Sequence, residues 1–335
     1  MNDNQPPSYQ KILVIRFSSI GDIVLTTPVV RSLKKQLPGV SIHYLTKKSY
    51  QNVIEGNPYI DKLHTFTGSM SSIISELKAE NFDFVVDLQN NARSHRITGR
   101  MRCSAKSFPK HNIRKLVLVC CKMNFLPERH IVDRYFEAVK PLGITNDGMG
   151  LDFFIPDEYQ FDVHNLPAGY EEGYIAVAVG ATWATKRIPA EKIVEISSQL
   201  FKPVILLGGK DDMRTAEEIV RQLEGKAINY CGQFPISTTA SIVAQSDCVL
   251  TADTGIMHIA AALRKPIASL WGNTVPEFGM YPYIAPGAPA ARIFEMPNLK
   301  CRPCSKLGFK KCPHKHFKCM REIATHEVAD WINQF

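Results

Sequence analysis

Several short segments of this chain put chemically capable side chains on turns that directly follow apolar runs. The first is Ser18-Ser19-Ile20-Gly21-Asp22, after the run Lys11–Phe17. A small polar turn with a glycine, between strand and helix, leaves backbone N–H groups exposed at a helix start, where anions bind readily. Asp22 sits just inside that helix. Its carboxylate can take a proton from a hydroxyl within hydrogen-bond reach, or it can serve the helix as an N-terminal acid favoured by the dipole. The second segment is Gly180-Ala181-Thr182-Trp183-Ala184-Thr185-Lys186-Arg187. Its hydroxyls, N–H groups and two cations can hold a diphosphate, with Lys186 neutralising charge. A plain basic loop before a helix fits it equally. The P-loop spacing is absent.

The third segment is Asp253-Thr254-Gly255-Ile256-Met257-His258. Asp253 or Thr254 can cap the following helix, and Gly255 lets a phosphate approach its N-terminus. His258 lies one turn in and can be structural instead. At Gly208-Gly209-Lys210-Asp211-Asp212, Asp211 or Asp212 can accept from a ribose hydroxyl or cap the next helix. These two acids are adjacent, and no Asp-x-Asp pair for metal delivery stands at a suitable strand end. Four cysteines, Cys301, Cys304, Cys312 and Cys319, are spaced C-x2-C-x7-C-x6-C, which suits a tetrahedral zinc site. His314 or His316 can replace one thiol. Buried free thiols or a disulfide are the alternatives, and an iron–sulfur cluster is a branch of the metal reading.

The elements that must carry these turns alternate. Short apolar runs at 11–17, 40–46, 60–66, 83–88, 173–179, 203–208, 227–230, 248–252 and 267–271 read as buried parallel strands. Helical spacing falls between them, at 20–37, 69–80, 111–123, 132–142, 190–201, 211–224, 237–246 and 255–263. Such alternation predicts doubly wound parallel sheets. Residues 147–172 break it with prolines, glycines and acids, so two domains are expected, 1–160 and 161–335, the second with a Cys-rich segment at 300–321. Two such domains place strand carboxyl ends at a common cleft, where ligands bind.

The 335 residues are 45% hydrophobic and 21% charged, which excludes disordered and low-complexity classes. No apolar run reaches membrane-spanning length. The start, Met-Asn-Asp-Asn-Gln-Pro-Pro, has neither the basic nor the apolar part of a signal peptide, so a cytoplasmic protein is expected. The net charge of +8 is unevenly placed. Residues 88–127 hold nine Lys/Arg and no acid, and 300–321 hold eight and no acid, leaving 23 basic against 32 acidic residues elsewhere. An acidic body with two basic tracts suits anionic partners, or simply a solvated basic face.

The segments together carry a resemblance. Ile15-Arg16-Phe17-Ser18-Ser19-Ile20-Gly21-Asp22 with Thr27-Pro28, Asp87-Leu88-Gln89, Lys186-Arg187 before Pro189, Asp253-Thr254-Gly255 through His258, and Leu270-Trp271-Gly272-Asn273-Thr274 occur in this order. In these motifs the chain resembles the ADP-heptose:lipopolysaccharide heptosyltransferases, glycosyltransferase family 9, over residues 11–333. The resemblance implies a GT-B fold and inverting transfer of a heptose from ADP-heptose to a lipopolysaccharide core acceptor, with no cofactor needed for catalysis. It implies Asp22 as the base. Gly180, Thr182, Lys186, Asp211, Asp253, Thr254, Gly255 and His258 become donor-site residues, Asp211 standing where a longer Glu is expected. Ser19, Gly21, Gln89, Arg93 and Arg96 fall on the acceptor side, Arg93 and Arg96 toward acceptor anions or the inner-membrane surface. The Cys-rich segment resembles a tail found in some members. Two alternatives differ in kind: a sugar-nucleotide epimerase of similar architecture, and a zinc-containing nucleic-acid-binding protein, the latter disfavoured by the few aromatics near the cysteines. The stretch 272–286, with Glu277, departs from the family pattern.

Overall fold

The computed structural model describes residues 9–335; the first eight residues of the polar leader lie outside the described residues. Two compact units form. One contains the chain up to Lys110 together with Ile131–Phe154, the other His111–His130 with Ile155–Phe335. The chain therefore crosses over three times, where a single cut near 160 was expected.

The first unit is a five-stranded parallel sheet of β1 (Lys11–Ile15), β2 (Ser41–Lys47), β3 (Lys62–Phe66), β4 (Phe84–Asp87) and β5 (Ser104–Ser107), in the order β3-β2-β1-β4-β5. Its helices begin with α1 (Ile20–Val24), α2 (Thr27–Gln36), α3 (Met70–Ala79) and α4 (Ala92–Thr98). Strands β1 and β4 are buried on both faces, which explains their unbroken apolar sequence. Leu13, Ile15, Phe17, Leu45, Val85 and Ile97 pack with Ile73 and Leu77 of α3. Each such side chain contributes about 1.5–3 kcal/mol by leaving water. The helical spacing 20–37 is split into α1 and α2. The hydroxyls of Thr26 and Thr27 donate to the carbonyls of Ile23 and Val24, and Pro28 has no N–H to continue the ladder.

Residues 111–130 leave this unit as an excursion built on α5 (Asn112–Cys121) and pack with the second unit. Leu118 joins Val275 and Phe278 in a small apolar cluster, and the Lys122 ammonium donates to the carbonyl of Pro303 at 2.6 Å. The basic stretch 88–127 is thus two surfaces, 88–110 on one unit and 111–127 on the other. This corrects its assignment to the N-terminal half alone. The chain returns through α6 (Ile131–Tyr135), and buried Arg31 of α2 grips residues 147–152 by ion pairs to Asp147 and Asp152.

The second unit is a six-stranded parallel sheet: β6 (Ile175–Ala178), β7 (Val204–Leu207), β8 (Ala227–Asn229), β9 (Cys248–Ala252), β10 (Ile267–Trp271) and β11 (Ala291–Glu295), ordered β11-β10-β9-β6-β7-β8. Helices α7 (Ala190–Ser198), α8 (Met213–Gln222), α9 (Ile236–Gln245) and α10 (Gly255–Ala262) connect them, and α11 (Lys318–Arg321) and α12 (Thr325–Ile332) close the core through Met320, Val328 and Trp331. Both units are doubly wound, as expected. Each sheet reverses strand order once, at β1/β4 and at β6/β9. Crevices outside the carboxyl ends at such points are where ligands bind in open α/β sheets.

One feature of the first sheet ties stability to pH. His43 Nδ1 lies 2.9 Å from His64 Nε2, and His64 Nδ1 lies 2.5 Å from Glu76. Neighbouring Glu80 is taken up by Lys11 and Lys62. Burial, then the charge of His64, pushes His43 down to about 4, with Glu80 only partly offsetting this. A base depressed on folding contributes stability that is complete above its unfolded pKa, near 6.5, and is lost as pH falls toward 4. His43 is expected to account for about 3 kcal/mol of lost stability between pH 7 and 4. Denaturant unfolding of the parent and of His43→Gln across that range checks this. Equal pH slopes in the two chains contradict it.

Candidate active site

At the first switch point, β1 delivers Arg16 and then the turn to Asp22, while β4 delivers Asp87, Leu88 and Gln89. Arg16 is 7% exposed, and a buried guanidinium needs partners. It donates to the carbonyl of Ser18 at 2.9 Å and to that of Leu88, and it pairs with Asp22 Oδ1 at 2.6 Å. Burial works against its charge, but Asp22 and the phenols of Tyr135 and Tyr44 outweigh burial, so its pKa rises. The other Asp22 oxygen accepts from the Ser19 N–H at 3.1 Å and the Ser19 hydroxyl at 2.8 Å. Asp22 thus completes a capping box with Ser19, the N-cap of α1, and is an ion-paired carboxylate as well, with its side chain 24% exposed.

The neighbouring turn is fixed by Asp87, whose carboxylate accepts from the N–H groups of Gln89 and Asn90 and from Ser94 Oγ. Gln89 Oε1 accepts from the N–H of Phe17 at 2.9 Å, which ties the two strand ends together. Asn91 caps α4, and α4 presents Arg93 and Arg96 to solvent. The Arg93 guanidinium lies over the rings of Phe17 and Phe66, at 5.7 and 5.3 Å; Arg96 stays exposed one turn on. The sequence reading missed Lys110. It is half-buried, and burial and then Arg16 lower its pKa, while Asp87 and Asp22 act the other way. Nothing local marks Lys110. Arg16 was legible, as a charge within an otherwise apolar strand run.

At the second switch point, β6 leads into 180–187 and β9 into Asp253. The Lys186 ammonium meets Asp253 Oδ2 at 2.5 Å, and the Thr274 hydroxyl donates to the same oxygen at 2.9 Å. Thr254 stands at the N-cap of α10, but its hydroxyl pairs with Thr251 at 3.0 Å and makes no cap hydrogen bond. The expected capping by Asp253 or Thr254 is therefore not found: both side chains are engaged elsewhere. Gly255 opens the helix, and His258 is buried within it. Thr182 is exposed. Gly180 is required by space, since a Cβ there would lie 2.1 Å from Asp212 Oδ2. Asp212 accepts from the N–H of Gly209 at 2.9 Å and pairs with Arg187. Asp211 is exposed, so of the two acids Asp212 is the one that shapes the turns.

The Cys-rich segment packs on these same turns. Arg302 donates to the carbonyls of Gly272 (2.7 Å) and Thr274 (3.0 Å) and pairs with Glu295. Thr185 exchanges hydrogen bonds with Phe309, and Gly308 leaves room for the Trp183 ring. Cys301, Cys304 and Cys312 are partly buried and Cys319 is buried. Burial and then the neighbouring thiols raise Cys304, and the same causes push Cys319 up to about 12. His316 Nε2 lies 3.9 Å from Cys301 Sγ. All the cysteines among the described residues are free. Among those residues, only His43, His64 and Glu80 bring three potential metal-ligating atoms within 4.8 Å of one another.

Three comparisons bear on what these turns do. The family model for glycosyltransferase family 9 (heptosyltransferase) matches residues 70–318. Lipopolysaccharide heptosyltransferase 3 of Escherichia coli K12 is 25% identical over 279 residues, covering 76% of this chain and 80% of that protein. Two solved structures share the fold: E. coli ADP-heptose lps heptosyltransferase II (TM-score 0.72, 19% identity, 97% of this chain and 98% of that one), and the iron-containing dodecameric glycosyltransferase TibC of enterotoxigenic E. coli H10407 (TM-score 0.60, 13%, 98% and 76%). With two parallel α/β units of the GT-B type and this family match, the chain belongs to glycosyltransferase family 9, the heptosyltransferases.

Proposed function

We propose that the chain transfers a heptose from ADP-heptose to a hydroxyl of an anionic glycolipid of the lipopolysaccharide core, with inversion. The observation that carries this reading is the Lys186–Asp253–Thr274 cluster beside a helix start that Thr254 does not cap. Such an arrangement suits a diphosphate leaving group. The α10 N–H groups, Gly180, Thr182 and Gly255 receive the phosphates, and Lys186 offsets the charge that develops as the sugar–phosphate bond breaks. A carboxylate beside a diphosphate repels it, so Asp253 acts through Lys186 and Thr274, as a positioning residue. Asp211 serves the ribose from its exposed place on the turn, and His258 supports the first turn of α10.

On the acceptor side Asp22 is the base. The acceptor hydroxyl gives its proton to the carboxylate while its oxygen bonds to the anomeric carbon, and ADP departs from the opposite face. Ser19 and Arg16 hold the carboxylate, and Gly21 keeps the turn small. Gln89 positions the turn, and Arg93 and Arg96 meet acceptor phosphates or sugar-acid carboxylates. No cofactor is needed for this step. The work belongs at the cytoplasmic face of the inner membrane, with the enzyme peripheral; no helix among the described residues is long and apolar enough to cross a membrane.

Steady-state kinetics with ADP-heptose and acceptor test these roles. Asp22→Asn keeps the shape of the cap and is expected to lower kcat by about 10²–10⁴-fold with donor Kd unchanged. In the same assay, reversing the charges of Arg93 and Arg96 raises acceptor KM alone. Near-normal turnover of Asp22→Asn removes it as the base, and loss of donor binding on reversing the arginines removes their assignment.

Cys301, Cys304, Cys312 and Cys319 fit a soft-ligand metal, zinc or iron, as a clamp on the segment that carries Arg302. When bound, the ion would supply folding energy and no catalytic step. Elemental analysis of purified untagged protein is expected to give near one ion per chain, with chelation weakening donor binding. Less than about 0.2 per chain overturns the clamp.

A further inference from the structure

Helix α5 wears its apolar stripe on the outside. Ile113, Leu116, Val117 and Cys120 follow the i, i+3, i+4, i+7 spacing that normally faces a core. Yet Ile113 is 80% exposed and Leu116 51% exposed, Cys120 is exposed, and Val117 is only half-buried. Met123 (50%) and Phe125 (58%) continue the patch beyond the helix. The opposite side is anchored: Leu118 packs on Val275 and Phe278, the Lys115 ammonium lies 5.6 Å from the Phe278 ring centre, and Lys122 is tied to Pro303. The stripe is therefore held outward by a fixed inner face.

Along residues 111–127 there is no acid. Arg114 is exposed next to the stripe, while Lys115 and Lys122 belong to the anchored side. A second copy of this chain would bring no acid from this segment to meet Arg114 in a two-fold contact. Apolar side chains bordered by an exposed arginine and no acid fit an interfacial helix on anionic lipid, where aliphatic and aromatic groups enter the acyl boundary and the cation meets headgroups.

We propose that the outer face of α5, with Met123 and Phe125, docks the protein on an anionic lipid bilayer. This deepens the glycolipid-acceptor reading and rests on it for its purpose. It moves the membrane contact from Arg93 and Arg96 on the first unit to the excursion carried by the second.

Sedimentation of the full chain with vesicles tests it, without acceptor or nucleotide, so that failure here leaves the transferase reading standing. Vesicles of phosphatidylglycerol and phosphatidylcholine are expected to bind at least tenfold more protein than phosphatidylcholine alone. Ile113→Asp with Leu116→Asp is expected to reduce that binding at least tenfold, and Arg114→Glu to weaken it. Phe201→Asp, at an apolar site 84% exposed elsewhere, leaves it unchanged. Matching thermal unfolding curves check that each variant folds, and the milder Ile113→Asn supplies the result if the double variant does not. Unchanged vesicle binding by the stripe variants overturns the proposal. So does a concentration-dependent dimer that the stripe variants abolish while vesicle binding persists.

Discussion

An ammonium and a carboxylate held 2.5 Å apart at the head of the second sheet are the contact around which the turns of that unit are arranged. Lys186 comes from the turn after β6 and Asp253 from the end of β9, so the pair forms only if the two strands lie side by side. Strand order places them there, at the one point where the order of the strands reverses. The pair is costly to hold half out of water unless the remaining lone pairs are satisfied, and Thr274 supplies that bond from the end of β10. Three consecutive positions in the sheet thereby converge on one charge.

That convergence explains why a cysteine-rich segment lies against an enzyme of this kind. Arg302 holds the carbonyls of Gly272 and Thr274, and Phe309 closes on Thr185, one residue before Lys186. The segment braces both sides of the ion pair. Through Pro303 it also receives Lys122 of the excursion. The bracing and the outward stripe of α5 thus share one support. In the first unit the corresponding device is Arg16, a buried cation that fixes Asp22 and the two turns beside it.

Much of this was legible in the sequence because buried parallel strands leave no polar alternation to confuse. Runs such as Val204–Leu207 and Cys248–Ala252 read directly, and the turns after them carry the candidate site residues. Strand β5 was not legible, since Ser-Ala-Lys-Ser is exposed along its length and is recruited only by pairing with β4. Strand β11 and helices α4, α11 and α12 escaped for related reasons: they are short, and each takes its place from tertiary packing. The excursion 111–130 escaped because a helical stripe tells that one face is apolar, not which body it joins. Lys110 and Arg302 were invisible as site residues, because their partners lie far away in sequence.

The central claim is inverting transfer from an ADP-linked heptose, and a donor screen with product stereochemistry tests it most directly. Purified protein is given ADP-heptose, UDP-, GDP- or dTDP-sugars with a lipopolysaccharide-core acceptor, and the new glycosidic bond is examined by NMR. The account requires acceptor-dependent ADP release from ADP-heptose alone, with the anomeric configuration opposite to that of the donor. Turnover of another nucleotide sugar in its place, or a product that retains the donor configuration, would contradict it.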